Sequence, residues 1–202
     1  MFQTHRINLR YVNIRSKLNE TVIVDMKFNF TLILLATLVL SNALAEQIRL
    51  EIPSIATSDW KNIKHIGQTK FTRFGIHIYD ASLWELSNDN ITAQALCIRY
   101  ARKISAEKLL SSTKKQWQRL RFADSHPLDA WLDSLAAIWP DVKKDDFLIF
   151  ISSDDGSNHF YSKESKLGSI EDSKFGTVFL DIWLSDKTKY QKQRKELLGD
   201  AN

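Results

Sequence analysis

Residues 70–81 read Lys70-Phe71-Thr72-Arg73-Phe74-Gly75-Ile76-His77-Ile78-Tyr79-Asp80-Ala81. Alternate positions collect Thr72, Phe74, Ile76 and Ile78 on one side and Phe71, Arg73, Gly75, His77 and Tyr79 on the other. A period of two belongs to a β-strand, because successive side chains leave opposite faces of the pleat. The pattern predicts one strand over Lys70 to Tyr79 with a mainly apolar face and a mixed face. Gln94 to Arg102 repeats it, with Leu96, Ile98 and Tyr100 opposite Cys97, Arg99 and Ala101.

Working outward, Gln47 to Ile52 alternates enough for a short strand, and Phe147 to Ile151 is a continuous apolar run. Asp154-Asp155-Gly156-Ser157 follows as turn chemistry, and His159-Phe160-Tyr161 returns as the second arm of a hairpin. Helical periodicity fills the spaces between. Ser105 can cap a helix whose stripe is Leu109, Leu110, Thr113, Trp117 and Leu120. Pro127 opens a second helix carrying Leu128, Trp131, Leu132, Leu135, Ile138 and Trp139, and Pro140 ends it. Asp172 or Ser173 starts a third with Phe175, Val178, Phe179, Ile182 and Trp183 inside. Thr188 is placed to cap a fourth, closed by Gly199. Antiparallel strands with helices grouped on one face predict an α+β, two-layer domain.

The 202 residues are 44% hydrophobic and 26% charged, with six Gly, three Pro and one Cys, which excludes collagen-like, disordered and disulfide-scaffold chains. The net charge of +4 is unevenly placed. Arg6, Arg10, Arg15, Lys17 and Lys27 against Glu20 and Asp25 give the first 45 residues +3, leaving +1 for the rest. So neutral a body offers no evident phosphate-binding patch, and no nucleic-acid partner is expected. From Met26 the chain reads as a secretory leader: Lys27, the uncharged run Phe28 to Leu40, then Ala43-Leu44-Ala45 in the small-x-small pattern before cleavage between Ala45 and Glu46. The run of 13 residues is short of the ~20 that span a bilayer, so periplasmic or secreted location is expected, with an uncleaved anchor over 28–40 as the alternative. Either Met1 or Met26 can be the start. The organisation is thus 1–25 as an N-terminal extension, 26–45 as a signal peptide and 46–202 as one domain.

Most catalytic signatures are missing. His65, His77, His126 and His159 fall in no metal-ligand spacing, and no nucleophile elbow or phosphate-binding loop is present. Asp145-Asp146 and Asp154-Asp155 are adjacent pairs that suit turns better than acid–base chemistry. Cys97 reads as inert packing. No metal, cofactor or catalytic group is expected from these patterns.

The quoted stretch resembles the K-F-T-x-x-G-V-Y strand of the chalcone isomerase family, and more closely the V-Y-D-A-x-L-Y form of its bacterial chalcone isomerase-like members, continued as Ser82-Leu83-Trp84. Further matches follow in order: Leu96 to Ile104, Trp139-Pro140-Asp141-Val142 to Asp146, Phe160-Tyr161, Leu167-Gly168-Ser169-Ile170, Ile182 to Thr188, and Leu197-Leu198-Gly199. The resemblance implies an open-faced β-sandwich: a large antiparallel sheet, a layer of helices on one face and a cleft between.

The plant enzymes of that family cyclise chalcones with a strand Arg, the K-F-T Thr, and a Tyr and an Asn on the following helix. Here Thr72 matches the Thr. The Arg position falls near Trp60, with Lys61 and Lys64 the closest cations, and the helix from Ser105 to Leu120 holds neither Tyr nor Asn. The resemblance therefore implies a cleft without the guanidinium that ring closure requires, and a non-catalytic role. Other relatives bind fatty acids. In that reading Thr72, Phe74, Ile76 and Tyr100 line an apolar cleft, and Lys70 or Lys64 pairs with a carboxylate. An altered isomerase or lyase, and an interaction module with a filled core, are the alternatives. The oligomeric state is left open.

Overall fold

The computed structural model describes residues 50–122 and 125–200. The extension, the leader and the Ala45–Glu46 junction lie outside these residues. Six antiparallel strands form one sheet in chain order: β1 (Asn62–Arg73), β2 (Ile76–Ser87), β3 (Thr92–Tyr100), β4 (Phe147–Ser153), β5 (Asn158–Tyr161) and β6 (Lys166–Ser169). Four described α-helices, α1 (Ala106–Arg119), α2 (Leu128–Ile138), α3 (Phe175–Leu184) and α4 (Gln191–Leu197), complete the α+β, open-faced architecture expected.

The stretch over residues 70–79 is not one strand. Phe74 and Gly75 both take positive φ, 51° and 74°, and make a two-residue turn between Arg73 and Ile76. Such a mirror-image turn matches the twist of a hairpin. Alternation survives a reversal of direction, so a period-two reading cannot see it. β2 then carries one extra residue: Phe71 pairs with Tyr79 and Thr72 with His77, leaving Ile78 unpaired. A second bulge in β1 leaves Ile66 between His65 and Gly67.

Both faces of the sheet are covered, although the α-helices lie on only one. Ala81, Leu83, Leu96, Ile98, Leu148 and Phe150 face the helices. Trp84, Leu86, Ala95, Cys97, Ile149 and Ile151 form a second core on the other face, closed by Leu50 and Ala56 with Ile52 and Trp60 beside them. Two-sided burial explains the unbroken apolar run of β4. Residues 47–49 of the strand expected over Gln47 to Ile52 are not described, and Leu50 to Ile52 join no ladder. Side chains hold them instead: Leu50 N–H donates to Gln68 Oε1 at 3.1 Å, and Ser82 Oγ donates to the Leu50 carbonyl at 3.0 Å.

The helix ends follow local chemistry. Ser105 Oγ accepts from Lys108 N–H, and Asp141 Oδ1 accepts from Ala106 N–H at 2.9 Å, both satisfying donors at the start of α1. Asp172 sets the entry to α3 by accepting from Lys174 N–H at 2.9 Å. Thr188 does not cap α4. Its hydroxyl donates to the Ile182 carbonyl, and the helix begins after Tyr190. Gly199, at φ 76°, ends α4 as expected. β6 had no period-two signal, being only four residues long with Gly168 inside.

α4 docks on β1 through a position without a side chain. A Cβ at Gly67 would lie 2.2 Å from the Glu196 carbonyl oxygen and 2.5 Å from that of Leu197. Thr69 Oγ1 donates to Glu196 Oε2 alongside. Gly67→Ala is expected to cost about 2 kcal/mol through overpacking, read as a lower urea midpoint with an unchanged far-UV spectrum. An unchanged midpoint would show that α4 is not seated there.

Candidate functional site

The layer between sheet and helices has a filled half and a hollow half. In the filled half the N-terminal turns of α3 pack Phe175 against Phe179 at 5.4 Å and against Trp131 at 5.4 Å, while Phe150 meets Phe160 at 4.8 Å and Phe179 at 4.7 Å. Two buried indoles find acceptors: Trp117 donates to the Val178 carbonyl and Trp131 to Asp172 Oδ2, each at 3.1 Å.

Toward the β1–β2 turn the packing opens into a cavity of about 630 Å³. The core is therefore not closed. Ile98, Tyr100 and Leu148 form the floor, joined by both Ile78 and Tyr79 because the bulge turns these neighbours to the same side. Leu109 and Thr113 of α1, and Phe179, Ile182 and Trp183 of α3, form the roof. The rim carries Arg73, Arg102, Lys103, Lys108 and Lys115, all exposed, and among the described residues no acidic side chain lines the hollow. None of the five cations joins an ion pair among the described residues.

Of the candidate binding residues, Tyr100 lies in the hollow. Thr72 does not line it: Phe71 and Arg73 do, so strand alternation turns Thr72 to the opposite face, where it pairs with His77. On that face His77 Nε2 meets Asp80 Oδ1 at 2.9 Å, and Arg99 Nη2 donates to Asp80 Oδ2 at 3.0 Å. Phe74 and Ile76 sit at and beside the turn, 89% and 49% exposed, not in the cleft. Lys70 shares the face of Thr72. Lys64 pairs with Glu85 at 2.9 Å, facing the β2–β3 end of the sheet. The expected absence of a guanidinium is also overturned, because Arg73 and Arg102 both reach the hollow. The basic rim has a visible trace in Arg102-Lys103, but only the fold brings these and Lys115 to Arg73.

The floor is chemically quiet. Tyr79 OH accepts from Trp183 Nε1 at 3.0 Å, and its ring stacks on Phe71 at 4.8 Å. Burial raises the hydroxyls of Tyr79 and Tyr100 well above the ordinary phenol range, the Trp183 hydrogen bond offsetting a little of this for Tyr79. Burial likewise pushes the Cys97 thiol up to about 12, so it is no nucleophile.

Tyr100 OH has no hydrogen-bond partner among the described residues and faces the hollow, where it can donate to a ligand. A phenol kept protonated by the fold has no pH-linked effect at neutral pH, where the unfolded phenol is protonated as well, and it costs stability as pH rises past about 10, where the unfolded phenol ionises. Tyr100→Phe is therefore expected to leave stability at pH 7 nearly unchanged and to move the alkaline unfolding midpoint upward. A circular-dichroism titration with the same midpoint in both proteins would contradict this.

An uncharacterized protein of Haemophilus influenzae is 26% identical over 137 residues, 66% of this chain and 67% of that one. Among solved structures, a fatty-acid binding protein of Arabidopsis thaliana superposes with a TM-score of 0.52 over 70% of this chain and 86% of that chain, at 8% identity, a likeness of fold. The family model described as chalcone isomerase-like matches residues 72–199, and the chain belongs to that family.

Proposed function

We propose that the protein is a non-catalytic binder of amphiphilic anions, with a fatty acid as the ligand class, acting in the periplasm or outside the cell after loss of its leader. The observation that carries this reading is the union of an oily hollow with a rim of five cations and, among the described residues, no acid. A volume of about 630 Å³ falls within the ~300–1,000 Å³ usual for small-molecule sites. An aliphatic tail would lie between Ile98, Leu148 and Ile182, removing apolar surface from water. Its carboxylate would meet Arg73 or Arg102, whose planar forks suit two parallel hydrogen bonds. The fatty-acid binding protein with the same fold supports this reading. The isomerase alternative relied on Thr72, whose position facing away from the hollow counts against it.

Titration with a fluorescent fatty acid, displaced by unlabelled palmitate, tests the proposal. The native protein should bind with saturable stoichiometry. Arg73→Gln combined with Arg102→Gln should weaken binding at least about tenfold, given roughly 1.5–3 kcal/mol for a charge-assisted hydrogen bond. Thr72→Ala and Lys64→Gln should bind as the native protein does. Absence of binding, or equal losses in all variants, would refute the assignment.

Location has its own test. Protein recovered from the periplasmic fraction should begin at Glu46 on N-terminal sequencing. Recovery only in the cytoplasm with the leader intact would overturn that part.

A further inference from the structure

The β1–β2 turn breaks two ordinary preferences at once. Its first residue is Phe74 at φ 51°, a conformation where Asn, Asp or Gly is the low-cost choice and a bulky side chain is an outlier. The ring is also 89% exposed, with Ile76 beside it 49% exposed. Nothing in the packing of the described residues accounts for this aromatic side chain.

The tip is continuous with the cationic rim. The Arg73 guanidinium lies 5.3 Å from the centre of the Phe74 ring while Arg73 also lines the hollow. Lys189 stands 4.6 Å above the ring of Tyr190, another lining residue, and Tyr190 meets Phe71 edge-on at 4.9 Å. An apolar prong beside unpaired cations is the pattern of a surface that enters a lipid interface under electrostatic attraction. A second copy of the chain meeting tip to tip would bring two cationic rims together, which disfavours self-association.

We infer that the Phe74–Ile76 tip and the surrounding cations form a docking surface for an anionic phospholipid bilayer, which sets the open end of the cavity against the membrane. Phe74 and Ile76 enter the acyl boundary, while Arg73, Arg102 and Lys103 contact lipid phosphates. This surface requires no particular ligand in the hollow, so it stands or falls apart from fatty-acid binding. It gives a purpose to a strained, exposed aromatic residue that the cavity does not use.

Co-sedimentation of the purified protein with phosphatidylcholine vesicles, with and without phosphatidylglycerol, tests the inference. The native protein should bind the phosphatidylglycerol vesicles at low salt, release at high salt, and bind pure phosphatidylcholine poorly. Phe74→Asn places a favoured residue in the turn, so it should fold normally and bind the fluorescent fatty acid as the native protein does. Its partitioning to anionic vesicles should fall at least about fivefold, and Ile76→Ser should weaken it in the same direction. Equal vesicle binding by native and Phe74→Asn proteins, as the uncharged stretch 28–40 alone would confer, overturns the inference. So does absence of binding to anionic vesicles, or a dimer in ultracentrifugation that Phe74→Asn abolishes while vesicle binding is absent.

Discussion

The aromatic packing of α3 against the sheet is the constraint from which the rest of the structure follows. Phe175 and Phe179 stack on the helix and meet Phe150 and Phe160 on the strands, with Trp131 closing the side. Rings bury large areas with few rotamers and prefer edge-to-face contact, so such a cluster holds two layers at a defined separation. Farther along α3, Trp183 meets the floor through Tyr79 OH, while the space between Ile182 and the floor residues Ile98, Tyr100 and Leu148 stays open. The hollow is the consequence of a spacing set elsewhere.

Charge placement follows from topology in a similar way. Arg73 closes β1, Arg102 and Lys103 follow β3, and Lys108 and Lys115 lie on the exposed side of α1. These elements converge at one end of the sheet, and the described acids lie elsewhere or are engaged, as Asp80 is with His77 and Arg99. A body of nearly zero net charge thus acquires a local field of one sign.

The layer order was legible because helical stripes such as Leu109, Thr113 and Trp117 and the turn at Asp155-Gly156 carry their own periodicity and chemistry. The site was less so. Tyr100 could be placed because β3 is regular and its parity runs unbroken from Leu96. Thr72 could not, because the Phe74–Gly75 reversal leaves alternation intact while a bulge at Ile78 changes which face the count refers to. The family resemblance places the cationic anchor near Trp60, and Lys70 and Lys64 near the start of the quoted stretch are the expected carboxylate partners. Convergence of Arg73 with Arg102 is a property of strand pairing, and no local window contains it.

The division of the interlayer into a packed end and an empty end has an evolutionary corollary. Substitutions around Tyr100, Leu109 or Ile182 alter the shape of a space that already lacks contacts, so they remove little cohesion. Changes at Phe175 or Phe150 strike the joint that keeps the layers together. Descendants of such a scaffold can therefore drift in cargo without passing through unfolded ancestors, because selectivity and cohesion reside in different parts of the same layer.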